Sequence, residues 1–291
     1  MPKPTFIIPG ASRSGTTTLW SIIRRHPDAC TPKEKEIRFF DRDENYNRGL
    51  EYYESRFEKC KGSKEIGEVS PPYWYKGITF NEDREYRYSE EDAPLRIKKA
   101  YPDIKIIFTF RNPVDRMFSQ FWKNVRQGRE KKRSVMEAVK EEMDGDRSYK
   151  ETPTCWVYKN SYAKHFKRWI SLFGKDNIKV LIFEDWISKK ESALKSVFSF
   201  LELKENPDIE YSSEKNVSKT PFSYVISDIR REYIGENILG KAIRRLNRSR
   251  GRPTPTKTER NWLFSVIEDQ VKEMEDLLGR SLSVWYPDGY K

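Results

Sequence analysis

Two histidines in 291 residues, His26 and His165, leave no room for a histidine-rich metal site or a pair of catalytic histidines. The three cysteines, Cys30, Cys60 and Cys155, are odd in number, far apart and without a CxxC pair. That pattern argues against a disulfide framework and against a zinc site. No apolar run approaches the roughly 20 residues needed to cross a bilayer. The start MPKPTFIIPG passes straight into a first strand, with no secretory leader. These absences predict a soluble, cytoplasmic chain of a reducing compartment. There is no internal repeat and no Pro/Gly/Ser linker, so one domain over residues 1–291 is expected. What is plentiful is charge, with a formal excess of +11. An excess of that sign suits an anionic partner: a nucleotide, an acidic or sulfated sugar, a membrane surface or a nucleic acid. It is also compatible with a merely basic surface.

Residues 5–8 are apolar and bounded by Pro9-Gly10, so they read as a buried strand. From Thr16, the residues Leu19, Ile22 and Ile23 recur at helical spacing until Pro27. Residues 42–102 show few strong periods and read as short helices and loops, with LRIKKAYPD as a helix leading into the next strand. That strand covers 104–110. Asn112 then suits an N-cap and Pro113 the first helical position. Val114, Met117, Phe118, Phe121 and Val125 line one face of the following helix, which Gly128 closes. REKKR (129–133) reads as a solvated loop. A helix over 156–173, a strand in IKVLIFED, an amphipathic helix in ESALKSVFSFLEL and a long helix over 258–278 follow. Apolar strands alternating with amphipathic helices predict an α/β, P-loop-like three-layer fold, a central parallel sheet flanked by helices. Ligands in such folds sit at the carboxyl ends of the strands.

The first such end carries G-A-S-R-S-G-T-T, residues 10–17. Strand, glycine loop and helix start form an anion site, because backbone N–H groups and the helix dipole both face the ligand. Ala11, Ser12, Arg13, Ser14, Gly15, Thr16 and Thr17 are its candidate binding residues. A Walker-type loop has lysine after its second glycine, where this chain has Thr16. The cation is Arg13, which can fork two phosphate oxygens and keeps its charge. The strand KIIFTF leads to Arg111-Asn112 rather than to an aspartate suited to Mg²⁺. Two features of a metal-dependent phosphoryl transferase are thus missing, although VLIFED does end in Glu184 and Asp185. Arg111 at its strand end and Ser119 on the next helix form a second candidate anion site. The simpler alternative pairs Arg111 with Asp115. Two neighbouring sites suggest a ligand phosphorylated twice.

PGASRSGTTTL, HPD, KEIRFFD, FRNPVDRMFSQFW, VLIFEDW and SRGRP follow the order found in sulfotransferases. Over most of its length, from Phe6 to about Trp285, the chain resembles the Golgi heparan-sulfate type and its bacterial relatives. The resemblance implies that the ligand is 3′-phosphoadenosine 5′-phosphosulfate (PAPS), with PAP as product and no metal. It implies that the first loop holds the 5′-phosphosulfate and that Arg111 and Ser119 hold the 3′-phosphate. Arg250, Gly251 and Arg252 would close over the nucleotide. It maps the base that removes the acceptor proton onto Glu36, with Arg38 at the following polar position and Phe39-Phe40 anchoring the loop. Arg13 would stabilise charge on the leaving phosphate during in-line transfer. Lys123, one turn beyond Ser119, would reach the bridging oxygen or the acceptor.

The implied acceptor is a hydroxyl, or less readily an amine, with carbohydrate favoured over a lipid, polyketide or other small alcohol. Nucleic acid is not an expected partner. Arg38, Tyr73 and Trp74 are the candidate acceptor contacts, the aromatics by stacking on a sugar unless they belong to the core. Val69 stands where the heparan pattern has a lysine, which speaks against a heparan-like acceptor. His26 is expected to be structural, and His165 to lie at the surface or its boundary. Two other classes stay open: an ATP-dependent kinase with a degenerate loop, and a non-catalytic polyanion-binding protein.

Overall fold

A computed structural model describes residues 1–81, 86–148, 154–205, 220–221, 237, 239, 242–243, 248–249 and 254–289. Its centre is a five-stranded parallel sheet. In chain order the strands are β1 (Phe6–Gly10), β2 (Ala29–Cys30), β3 (Glu65–Val69), β6 (Lys105–Phe110) and β7 (Ile178–Ile182). They lie side by side in the order β2-β3-β1-β6-β7. A small antiparallel hairpin, β4 (Ile78–Phe80) and β5 (Tyr86–Tyr88), stands apart from the sheet.

Successive side chains of a strand point to opposite faces, and β1 shows it. Phe6 and Ile8 join a core with Leu19, Ile22, Ile107, Leu181, Trp186 and Leu194. Ile7 joins the other core with Ile106, Phe108, Phe110, Phe166, Trp169 and Leu263. The first face is covered by α1 (Thr16–Ile23), α9 (Phe183–Ser188) and α10 (Lys190–Phe200). Over the other lie α5 (Pro113–Gln127), α8 (Tyr162–Phe173) and α11 (Lys257–Leu278). The remaining helices are α2 (Asp43–Tyr46), α3 (Leu50–Ser55), α4 (Ala93–Ala100), α6 (Val135–Met143) and α7 (Trp156–Asn160). Each large apolar side chain taken fully out of water contributes about 1.5–3 kcal/mol, so the aromatic-rich second core is the main source of cohesion.

The expected three layers are present, and five local expectations change. Glu65–Val69 is a strand, although 42–102 reads as helices and loops. Its two glutamates hide it, yet it pairs with β1 from Phe6↔Gly67 to Ile8↔Val69. Gly67 is required there, because a Cβ would stand 2.3 Å from the Phe6 ring. The helix expected over 156–173 is broken between Asn160 and Tyr162, and IKVLIFED turns helical at Phe183. In REKKR, Glu130 is buried and accepts from Arg147.

The fifth change concerns cysteine. Cys30 and Cys60 form a disulfide with Cα atoms 5.4 Å apart. They are distant in sequence, but Cys30 pairs beside Ile66 of β3 and Cys60 lies in the turn just before that strand. Cys155 is free and buried. Cysteine usage therefore no longer speaks for a reducing compartment. Among the described residues, no helix is long and apolar enough to cross a membrane.

Candidate active site

The first loop is shaped by its neighbour β6. Ala11 N–H donates to Thr109 O at 2.8 Å, and Thr109 Oγ1 donates to Ser14 O at 2.8 Å. Trp186 Nε1 in turn donates to Thr109 Oγ1 at 3.0 Å. One buried hydroxyl thus ties the loop to β6 and α9. Gly15 is the N-cap of α1, at φ 88°, and contributes no side-chain cap. A Cβ there would meet Trp186 at 2.7 Å and Phe183 at 2.9 Å. No acidic residue occupies the first turn of α1. The first N–H groups of a helix have no intrahelical acceptor, so this helix end is arranged for an external anion. Ala11, Ser14 and Thr16 are buried, Ser12, Arg13 and Gly15 partly so, and Thr17 is exposed.

Arg13 sits at φ 70°, a left-handed conformation that costs a side-chain-bearing residue roughly 1–2 kcal/mol. From it, Nε donates to Ser119 Oγ on α5 at 3.0 Å. The two candidate anion sites therefore share one crevice.

The second strand end is equally fixed. Asn112 caps α5, accepting from Val114 N–H at 3.0 Å and Asp115 N–H at 3.3 Å. Its own N–H donates to Glu184 at 2.9 Å, and Trp285 Nε1 donates to the same carboxylate at 3.0 Å. Tyr162 donates to Arg111 O at 2.9 Å. Glu184 is thus occupied in holding main chain, and Asp185 pairs with Arg280. The Arg111 guanidinium lies over the Phe183 ring at 5.1 Å and 3.5 Å from Asp115. Asp115 is closer to Arg260, at 2.7 Å. Among the described residues, Arg111 Nε is buried without a hydrogen-bond partner. An orphaned guanidinium nitrogen, an open helix start and Arg13 on Ser119 fit a nucleotide carrying two anionic groups. Lys123 is the next group along α5. Burial pushes its ammonium pKa down, the Arg13 charge pushes it further, and the Glu36 carboxylate pulls it back up. Arg13 and Glu36 accordingly each lie within electrostatic reach of Lys123.

Glu36 is 41% exposed, with Lys35 Nζ at 3.4 Å. The backbone after it is held from below. Ile37 N–H donates to Glu68 at 3.0 Å, and Phe39 N–H to the Tyr73 hydroxyl at 2.7 Å. Asn45 Nδ2 donates to the carbonyls of Ile37 and Arg38 at 3.2 and 2.9 Å. Phe39 and Phe40 are fully buried, as their anchoring role requires.

Three candidate acceptor contacts are placed differently from expectation. Arg38, at φ 59°, forks Asp41 at 2.9 and 2.7 Å and lies over Phe80. Its guanidinium is engaged within the protein. Tyr73 and Trp74 are fully buried and offer no ring to a sugar. Tyr73 accepts from Phe39 N–H in the loop after Glu36, and Trp74 packs on Phe110, Tyr162 and His165. His26 is structural, buried and bonded to Asp28 N–H and Lys204 O. His165 is fully buried rather than at the surface. Its Nδ1 accepts from Lys76 N–H at 3.0 Å, and burial pushes its pKa down to about 3. Arg250, Gly251 and Arg252 lie outside the described residues.

Sequence reasoning missed Thr109, Trp186 and Glu68. A lone hydroxyl inside KIIFTF was a usable signal for Thr109; Trp186 and Glu68 act through contacts that no local pattern displays.

A sulfotransferase domain model matches residues 3–236. Heparan sulfate glucosamine 3-O-sulfotransferase 5 from Homo sapiens is 30% identical over 201 residues, which is 69% of this chain and 54% of that protein. The bifunctional heparan sulfate N-deacetylase/N-sulfotransferase 4 from Mus musculus is 24% identical, over 97% of this chain and 31% of its own length. The chain thus spans about half, or less, of the curated relatives it matches. The crystal structure of a sulfotransferase from Alicyclobacillus acidocaldarius superposes with a TM-score of 0.67 at 26% identity, covering 98% of this chain and 99% of that one. Family model, relatives and whole-chain superposition agree with the strand-end geometry: the chain belongs to the sulfotransferase family.

Proposed function

We propose that the chain moves a sulfuryl group from PAPS to an acceptor hydroxyl, on a carbohydrate before other classes, by in-line transfer without a metal. The observation that carries this is the bond from Arg13 to Ser119, which joins the first loop to the helix after Arg111. PAPS supplies the sulfuryl group on a phosphate leaving group. Ala11 to Thr17 hold the 5′ end through main-chain N–H groups and the start of α1. Arg111 and Ser119 hold the 3′-phosphate, which gives the orphaned Nε of Arg111 an acceptor. Arg13 offsets the charge that develops on the leaving phosphate oxygen as the S–O bond to it breaks. Glu36 accepts the proton of the attacking oxygen as that oxygen bonds to sulfur. Lys123, its ammonium destabilised by burial and by Arg13, lies within electrostatic reach of Arg13 and of Glu36 and can donate to the bridging oxygen.

Calorimetric titration with PAP in the presence of EDTA tests the donor. Tight binding is expected, and Mg²⁺-dependent ATP turnover without it would favour the kinase alternative. Labelled PAPS offered with a panel of glycans and small alcohols tests the acceptor, and label on small alcohols alone would displace the carbohydrate.

A further inference from the structure

Glu68 is a fully buried carboxylate in β3, the strand beside β1. Among the described residues no cation pairs with it. Instead, four donors from three segments converge on it. Ile37 N–H donates at 3.0 Å, the Tyr53 hydroxyl at 2.8 Å, the Tyr73 hydroxyl at 3.1 Å, and Ser70 Oγ donates as well. A buried carboxylate is costly unless its lone pairs are filled, and here each oxygen accepts more than once.

What this arrangement holds is the backbone after Glu36. Glu68 takes the N–H of Ile37 directly. Through Tyr73 it takes the N–H of Phe39, because that hydroxyl accepts from Phe39 while it donates to Glu68. Between the two lies Arg38, in its left-handed conformation. Both amides that flank the kink are thus referred to one carboxylate. A glutamine at position 68 would present an amide N–H₂ toward a set of donors, so the pattern suits a carboxyl group, which can accept at both oxygens.

We propose that Glu68 is a positioning residue for Glu36: it fixes the loop through Ile37 and Tyr73 so that the Glu36 carboxylate faces Lys123 and Arg13. The inference rests on Glu36 as proton acceptor. The test uses the full chain and the variants Glu68→Gln, Glu36→Gln and the double variant.

Without any acceptor, amide exchange in Glu68→Gln should rise about tenfold or more at Ile37 and Phe39. It should stay unchanged over residues 10–18, with PAP affinity kept. Unchanged exchange at Ile37 and Phe39, or a rise that includes the first loop, overturns the proposal. With the acceptor that turns over in the panel, Glu68→Gln should lower kcat about tenfold at constant KM for PAPS. The double variant should then be no slower than Glu36→Gln, since the two act as a unit. Additive losses overturn it. Full transfer by Glu36→Gln removes the base reading itself, a result distinct from additivity. Should Glu68→Gln fail to fold, Tyr73→Phe removes the hydroxyl bridge alone, and exchange at Phe39 decides in the same way.

Discussion

The loop from Ala11 to Gly15 is shaped by main-chain groups and one threonine, whereas the loop from Thr31 to Asp41 is held by buried ionisable side chains. In the first, carbonyls and N–H groups bond to β6, and a glycine presses on two aromatic rings. In the second, Glu68, Tyr73, Asn45 and Asp41 carry the contacts, and a disulfide lies just before it. Both loops contain an arginine at positive φ, Arg13 and Arg38. Strain of this kind persists where the surroundings over-determine it. The first loop presents the donor's groups with little freedom to vary. The second sets the backbone beside one carboxylate through side chains that arrive from separate segments.

The largest expected effect breaks the first loop. Arg13→Ala should weaken PAP binding and cut turnover by about 10²–10³-fold, the usual scale for losing a charge-stabilising donor. Calorimetry and initial rates check it, and a variant with normal turnover would take Arg13 out of the mechanism. Glu36→Gln should separate the two loops: transfer falls by about 10²-fold or more, while calorimetry returns an unchanged PAP affinity.

A third prediction uses pH, because Glu68, which holds the second loop, and His165, buried beneath Trp74, both have shifted pKa values. Burial raises the Glu68 pKa from 4.5 to about 7. A raised carboxyl contributes stability that is complete below 4.5 and lost as pH rises through 7. His165 has the opposite sign. Its pKa is lowered from 6.5 to about 3, so its contribution is complete above 6.5 and lost as pH falls through 3. Each tenfold difference in acidity between the folded and unfolded chain corresponds to about 1.4 kcal/mol. In melting curves from pH 4 to 8, Glu68→Gln should gain on the parent chain as pH rises, and His165→Gln as it falls. Parallel curves would refute both assignments. The smallest effect is expected of Thr109→Val, which removes one hydroxyl bridging Ser14 and Trp186. It should cost about 1–3 kcal/mol for the unpaired groups, with PAP affinity reduced and Glu36-dependent steps untouched.

The same contrast explains what was legible in the amino-acid order. Gly10, Gly15, Asn112 and Pro113 set the backbone immediately around themselves, so their spacing announces a loop, a cap and a helix start, even where, as at Gly15, distant residues complete the fit. Nothing next to Glu68 announces its burial, which depends on β3 pairing with β1 and on Tyr53 and Tyr73 reaching it. Tyr73 and Trp74 read as a platform for sugar for the same reason: exposure is not written locally. The Cys30–Cys60 bond depends on the parallel register of β2 and β3.

Gly15 rests on Phe183 and Trp186, residues encoded more than half the chain later. A fragment ending before β7 would keep every glycine of the opening loop and lose the wall that gives it shape. Nucleotide occupancy and the docking of the late helices are therefore thermodynamically linked. A saturating ligand should raise the melting temperature of the chain as one cooperative unit, by the logarithm of its excess over Kd.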